Sequence, residues 1–228
     1  MKPWLRKQWC IPSEKSGEFV AHMEDILELY ALAYDPQIPM VCMDEASRQH
    51  IKETRTPIPM SPGSIEKYDC EYERNGVSNV FMFFEPLGGT RHVQITDRRT
   101  KEDWAHAVKK MVDIHYPEVS KIRLVMDNLN THGIGSLYET FPAAEALRIA
   151  KKLEIHHTPK HGSWLNMAEI ELGILSRQCL KKRIPDQETM RKEVQVWEEN
   201  RNNMKLKVDW QFSTKDARIK LKKLYPSF

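Results

Sequence analysis

A mixed α/β sheet flanked by helices is the fold class this sequence predicts, and three observations predict it. Two apolar runs that end at acids, Met40 to Asp44 and Ile122 to Asp127, read as strands. Two further runs, Ser78 to Phe84 and Arg91 to Thr96, flank the turn Pro86-Leu87-Gly88-Gly89 and read as antiparallel partners. Helix-period stretches lie before, between and after them, and 228 residues with 40% apolar content are enough for one such core.

Each element has its own signal. A short basic lead with Lys2, Arg6 and Lys7 opens the chain without the apolar stretch of a secretory signal. An acidic amphipathic helix follows from about Glu18 to Ala33, with Phe19, Met23, Ile26, Leu27 and Tyr30 on one face, and Pro36 and Pro39 end it. After the Met40 strand, the Pro-rich stretch from Thr56 to Gly63 reads as a long extended loop. Asn75-Gly76 is a hairpin signal ahead of the Ser78 run. Thr100 caps a helix to His115 that turns Trp104, Val108, Met111 and Val112 inward, and Pro117 breaks it. The strand to Asp127 comes next, then a helix from about Pro142 to Lys152 and a short strand from Glu154 to Thr158. A helix beginning at Ser163 is expected to reach Arg183, and a last one spans about Gln187 to Asn200 with Met190, Val194 and Trp197 inward.

Composition narrows the function classes. The longest apolar runs, such as Val77 to Phe84, fall far short of the roughly 20 residues that span a bilayer, so no membrane role is expected. Cys10, Cys42, Cys70 and Cys179 form no CxxC pair, which argues against a zinc ribbon or disulfide scaffold and for a reducing cytoplasm. Net charge is only +3, yet from Ser176 onward 14 Lys and Arg face 7 Asp and Glu. That excess places a basic surface at Arg177, Lys181, Lys182 and Arg183, and again at Lys215, Arg218, Lys220, Lys222 and Lys223, for which phosphates are natural partners. Phosphate-loop, dinucleotide-binding and nucleophile-elbow motifs are all missing, so nucleotide hydrolysis and acyl transfer lack their usual signatures.

Acids carry the remaining signal. Asp44 and Asp127 both fall at carboxyl ends of strands, where open α/β sheets place their ligands. Crowded carboxylates raise one another's pKa unless a cation lies between them, and hard oxygen ligands suit Mg²⁺ or Mn²⁺. A third acid comes from the segment Lys160-His161-Gly162-Ser163-Trp164-Leu165-Asn166-Met167-Ala168-Glu169-Ile170-Glu171. Glu169 and Glu171 lie on opposite borders of the apolar face made by Leu165, Ala168, Leu172, Leu175 and Cys179, so periodicity does not choose between them. Asn166 shares a side of the helix with Glu169, three residues on, which favours Glu169. Glu45 projects to the other face of its strand and reads as an ion-pair partner. His132, His156, His157 and His161 match no zinc spacing, and His132 and His161 read better as groups beside the acids or contacting phosphate.

Three blocks, Cys42-Met43-Asp44-Glu45, Val125-Met126-Asp127-Asn128-Leu129-Asn130-Thr131-His132 and Lys160 to Glu169, together resemble a bacterial transposase of the insertion-sequence 630 family in the Tc/mariner superfamily. The likeness runs from about residue 10 to the C-terminus. It implies an RNase H-like fold, similar to that of retroviral integrases, in which Asp44, Asp127 and Glu169 are the catalytic acids and hold two Mg²⁺ ions, with Mn²⁺ as substitute. It also implies supporting roles for Asn128, His132, His161 and Asn166, while the basic charge makes Lys160, Arg177, Lys181, Lys182 and Arg183 the candidate DNA contacts. Expected activity is cleavage and strand transfer at transposon ends, with insertion at TA, by a homodimer acting on double-stranded DNA. The corresponding division is a lead and linker helix over 1–36, a catalytic domain over 37–200 and a basic segment over 201–228. Two departures stand out. The 41 residues between Asp127 and Glu169 exceed the usual spacing and keep Glu171 as a reserve, and about 40 residues before Asp44 are too few for an end-reading helix-turn-helix. The expectation is therefore a catalytic half, with a separate helix-turn-helix polypeptide among its candidate partners. The alternative is a catalytically incompetent remnant that binds DNA or a full-length partner.

Overall fold

The computed structural model describes residues 15–128 and 132–226; the basic lead and Leu129-Asn130-Thr131 of the second block lie outside the described residues. It contains the expected mixed sheet, with β1 (Met40–Glu53), β2 (Tyr72–Glu85), β3 (Thr90–Thr96), β4 (Ile122–Asp127) and β5 (Leu153–Thr158) in the order β3-β2-β1-β4-β5. β1, β2 and β3 pair antiparallel, whereas β4 and β5 run parallel to β1. The helices are α1 (Gly17–Tyr30), α2 (Lys101–Lys110), α3 (Ile134–Thr140), α4 (Ala143–Lys151), α5 (Met167–Gln178), α6 (Gln187–Asn203) and α7 (Thr214–Lys220).

Strand alternation divides the core in two. Met40, Cys42, Val80, Met82, Phe84 and Val125 meet α1, α5, α6 and α7 on one face. On the other face Val41, Met43, Phe81, Phe83, Leu124 and Met126 meet α2, α3 and α4 around Trp104. Residues 201–228, expected as a basic segment, contribute the end of α6 and all of α7, and Ala217, Leu221 and Leu224 sit in the same cluster as α1. Arg218 forks onto Glu24 with two bonds of 2.8 Å, and the Thr214 hydroxyl donates to Glu28 at 2.6 Å. No helix among the described residues is long and apolar enough to cross a membrane.

Several expectations need correction. The first strand does not stop at Asp44 but runs to Glu53, because β2 supplies a ladder for a stretch too polar to read as a strand. Asn75-Gly76 makes no hairpin. β2 passes through it as a bulge, in which those two residues face His50 and Gly76 takes φ +90°. The Asn75 side chain then donates to the Pro185 carbonyl at 2.7 Å. The Thr100 helix has its capping box, but is α-helical only to Lys110 and finishes as a π turn over Met111–His115. α3 had no sequence signal, being seven residues with no capping side chain. Ser163 opens only a short 3₁₀ turn, Ser163–Leu165; α5 begins at Met167 and ends at Gln178, short of Arg183.

The exposed edge of β3 is closed by one face of α6. Asn202 accepts from the Arg91 backbone N–H at 2.8 Å and returns a bond to its carbonyl, Glu198 accepts from the Val93 N–H at 3.0 Å, and Arg191 donates to the Ile95 carbonyl at 3.3 Å. Side chains thus take the place of a sixth strand and remove a template for edge-to-edge pairing.

Candidate active site

Asp44 and Asp127 are brought together by strand register. β1 and β4 pair in parallel from Met40↔Arg123 to Cys42↔Val125, and the same register carried two residues further sets Asp44 opposite Asp127. Both acids follow residues of the α1/α5 face, Cys42 and Val125, so alternation points them toward the same helix layer. The ladder stops at Cys42 while β1 continues with β2, so the two strands part just before the acids, at the carboxyl end of β4.

The third acid arrives on α5, and one buried asparagine fixes where. Asn166, 1% exposed, caps the helix by accepting from the Ala168 N–H at 3.1 Å and donates from its amide to the Met43 carbonyl at 2.8 Å. The start of α5 is thereby tied to the residue before Asp44. The Tyr30 hydroxyl adds a second tie from α1, donating to the Leu165 carbonyl at 2.6 Å. Glu169, in the first turn, is exposed, and the charge of Asp127 acts on its carboxyl.

Glu171 has another task. About 200° around the helix from Glu169, it is fully buried against Arg91 and Arg201. Arg201 grips it with two bonds of 2.8 and 2.9 Å, and Arg91 Nε lies 2.9 Å from Oε1. The choice that periodicity left open falls to Glu169 for the cleft.

Electrostatics reflect the crowding. Burial pushes the Asp44 carboxyl up to about 7 against the pull of the Glu45 backbone N–H, which donates to Oδ1 at 2.7 Å; the charges of Asp127, Glu169 and Glu45 push it further. Partial desolvation of its carboxyl, although the residue as a whole is exposed, and then the Asp127 charge also raise Glu169. On Asp127, Oδ1 accepts from the Thr158 hydroxyl at 2.7 Å and Oδ2 from Ser163 at 3.4 Å.

A stability test follows from the sign. Asp44 takes up a proton on folding between its ordinary value of 3.8 and about 7, so folding loses free energy as pH rises through that window. Asp44→Asn, which keeps the acceptor for Glu45, is expected to stabilise the metal-free chain at pH 8 by about 1–3 kcal/mol, after a discount for partial solvent screening. The advantage should vanish near pH 4. Thermal melts in chelator at both pH values check this, and an advantage independent of pH contradicts it.

The supporting candidates fall into two places. Asn128, Lys160 and His161 line an open groove that runs from Asp127 past Ser163 to His22 and the start of α1. His161 holds φ 65°, a left-handed conformation that a non-glycine residue seldom adopts. His132 instead lies under the sheet on the opposite face, stacked on Trp104 and 3.2 Å from Glu45. Arg99 meets the same carboxylate at 3.3 Å, so Glu45 is the ion-pair partner it was expected to be. His156 pairs with Asp25 and Glu154.

Of the basic candidates, only Lys160 lies beside the acids. Arg177 is eight residues along α5 from Glu169, roughly 12 Å. It and Lys181 are exposed and make no ion pair among the described residues. Lys182 pairs with Glu193 at 2.7 Å, and Arg183 pairs with Glu53 at 2.6 Å while lying over the rings of Tyr68 and Tyr72. Sequence reasoning missed Thr158, Ser163 and Tyr30 around the acids, because their contacts depend on strand register and helix packing.

A family model described as DDE superfamily endonuclease matches residues 39–191. Among solved structures, the chain is similar to the Mos1 mariner paired end complex with Mn, at 13% identity and TM-score 0.57, covering 88% of this chain and 61% of that one. It is also similar to the mariner Mos1 paired end complex with Mg, at 14% identity and TM-score 0.56, covering 97% and 67%. The Mos1 Strand Transfer Complex matches at 13% identity and TM-score 0.57, covering 88% and 60%. At such identities the likeness shows the fold, an RNase H-like mixed sheet as expected. The chain spans about three fifths to two thirds of the length of these structures. No protein of curated function matches it.

Proposed function

The chain belongs to the DDE superfamily endonucleases, and from that premise we propose that it is the catalytic domain of an insertion-sequence 630 transposase. It would cut DNA phosphodiester bonds at the ends of the element and join them to target DNA at TA, working as a dimer. What carries the reading is the convergence of Asp44, Asp127 and Glu169 at one cleft, from two parallel strands and a helix tied to the first strand by Asn166.

Their fit to metal rests on two features. The raised carboxyls of Asp44 and Glu169 mark a site that a cation would relieve. The second is donor chemistry: carboxylates suit Mg²⁺ or Mn²⁺, which take one or two of them each and complete their shell with water and substrate phosphate oxygens, although no group of three His, Cys, Asp or Glu side chains among the described residues is already placed to hold an ion. Asp44, Asp127 and Glu169 would hold two such ions. When bound, the ions supply charge stabilisation at the phosphorus and a lowered pKa for water or a 3′-hydroxyl.

The chain's own residues do the rest. Asn166 and Tyr30 tie the start of α5 to β1 and α1, so Glu169 stands within reach of the Asp127 charge. Lys160 and His161 face the groove beside Asp127, where they can meet the phosphates that flank the scissile bond. Arg177 and Lys181 extend a positive surface along α5, whereas the pairing of Lys182 and Arg183 with acids reduces their share.

Nicking of supercoiled plasmid in Mg²⁺ or Mn²⁺, with chelator as control, tests the reading. Metal-dependent nicking supports it; none, even with an added helix-turn-helix polypeptide, favours a binding remnant. DNA affinity should fall steeply between low and moderate salt, and Lys160→Ala should weaken it alike for all sequences and reduce the salt slope by about one. A salt-independent affinity contradicts the phosphate-contact part.

A further inference from the structure

We propose that Thr158 is a positioning residue that turns Asp127 into a one-oxygen ligand, and so helps the site select a small divalent ion over Ca²⁺. This rests on the metal reading of the three acids above. Thr158 is the ladder partner of Asp127 between β4 and β5, so backbone pairing alone sets the two side chains next to each other on one face. The threonine is 3% exposed, and its hydroxyl donates to Asp127 Oδ1 at 2.7 Å. The Ser163 hydroxyl reaches Oδ2 only at 3.4 Å, near the limit for a hydrogen bond. One oxygen is therefore held by a short bond from a buried hydroxyl, and the other stays available toward the groove that Asp127 and Ser163 both line.

Asp44 shows the same asymmetry by a different route. Its Oδ1 accepts the Glu45 backbone N–H at 2.7 Å, and no hydrogen bond is made to its Oδ2 among the described residues. Both aspartates are thus prepared to offer a single oxygen. Mg²⁺ and Mn²⁺ accept that arrangement in a near-octahedral shell, whereas Ca²⁺ takes six to eight oxygens and often both oxygens of a carboxylate. Without the Thr158 hydroxyl, Asp127 would be free to rotate and to present both oxygens, which loosens the distinction.

The test measures ion binding directly, without catalysis. Mn²⁺ binding to the whole chain is followed by electron paramagnetic resonance, with Ca²⁺ as competitor, for wild type and for Thr158→Val, Thr158→Ala and Thr158→Ser. Thr158→Val and Thr158→Ala are expected to weaken Mn²⁺ binding by about 10- to 100-fold and to reduce Ca²⁺ affinity less. Thr158→Ser, which keeps the hydroxyl, should bind as wild type does. Melting curves in chelator identify any variant that fails to fold; if valine does, alanine carries the comparison. Wild-type Mn²⁺ affinity in a folded Thr158→Val or Thr158→Ala chain overturns the proposal, as does a Thr158→Ser chain as weak as these. Wild-type protein that binds no Mn²⁺ would overturn the metal reading itself, a result visible before any variant is made.

Discussion

Asp127→Asn and Glu169→Gln should each reduce metal-dependent nicking on the order of 10³–10⁴-fold while leaving a folded chain. Each substitution keeps the shape of the side chain and removes the negative charge that would hold an ion. Asp127→Asn can still accept from Thr158 through its carbonyl oxygen, so the link between β4 and β5 survives. Glu169 is exposed and makes no hydrogen bond or ion pair to another side chain among the described residues, so Glu169→Gln costs no packing. Plasmid nicking with Mn²⁺ gives the activity, and circular dichroism with thermal melting gives the fold. Retention of nicking within tenfold of wild type by either folded variant would remove that acid from the chemistry.

Glu171→Ala should do the reverse and unfold the chain far more readily. Its carboxylate is fully buried between Arg91 and Arg201, and Arg91 is itself fully buried. Removing one member of such a group leaves buried positive charge unpaired, a loss of about 3–5 kcal/mol. For a chain of this size that corresponds to a fall in melting temperature of roughly 10 °C. The contact also joins three elements, since Arg91 is on β3, Glu171 on α5 and Arg201 on α6. Glu169→Ala, two residues away, should leave the melting temperature within a degree or two. Equal melting of the two variants would mean that the Arg91-Glu171-Arg201 cluster contributes little.

These paired glutamates show where reading the sequence stops. Both border the apolar face of α5, both are acids, and helical period treats them alike. The difference comes from what lies beside each border: on one side Asp127 and the open cleft, on the other two arginines separated from Glu171 by 79 and 29 residues of chain. The Asn166 signal favoured Glu169 as a neighbour on the helix, and the structure gives Asn166 a different part. Its side chain is a cap and a bridge to Met43, and that bridge is what places Glu169.

Asn75-Gly76 shows the opposite failure. The pair is a strong local signal for a two-residue turn, yet β2 runs through it because β1 offers a continuous partner on one side and the Pro185 carbonyl takes up the Asn75 amide on the other. The same long-range pairing extends β1 through polar residues that no alternation pattern marks. Arg183, a candidate phosphate contact by composition, is held by Glu53 at the end of that extension.

Strand alternation, the acid that ends β4, the capped start of α2 and the apolar stripes of α1 and α6 were legible in the sequence, because each depends on neighbours within a few residues, whereas Asp44 lies inside β1 and not at its end. Together with the three motif blocks they determined the fold class and named Asp44, Asp127 and Glu169. The tertiary structure decided which face each acid occupies relative to the others, which glutamate is tied up in a buried ion pair, which hydroxyls hold Asp127, and which cations remain unpaired. Those outcomes depend on register between distant strands and on helices closing over them, and contacts across more than a hundred residues leave no period in the chain to read.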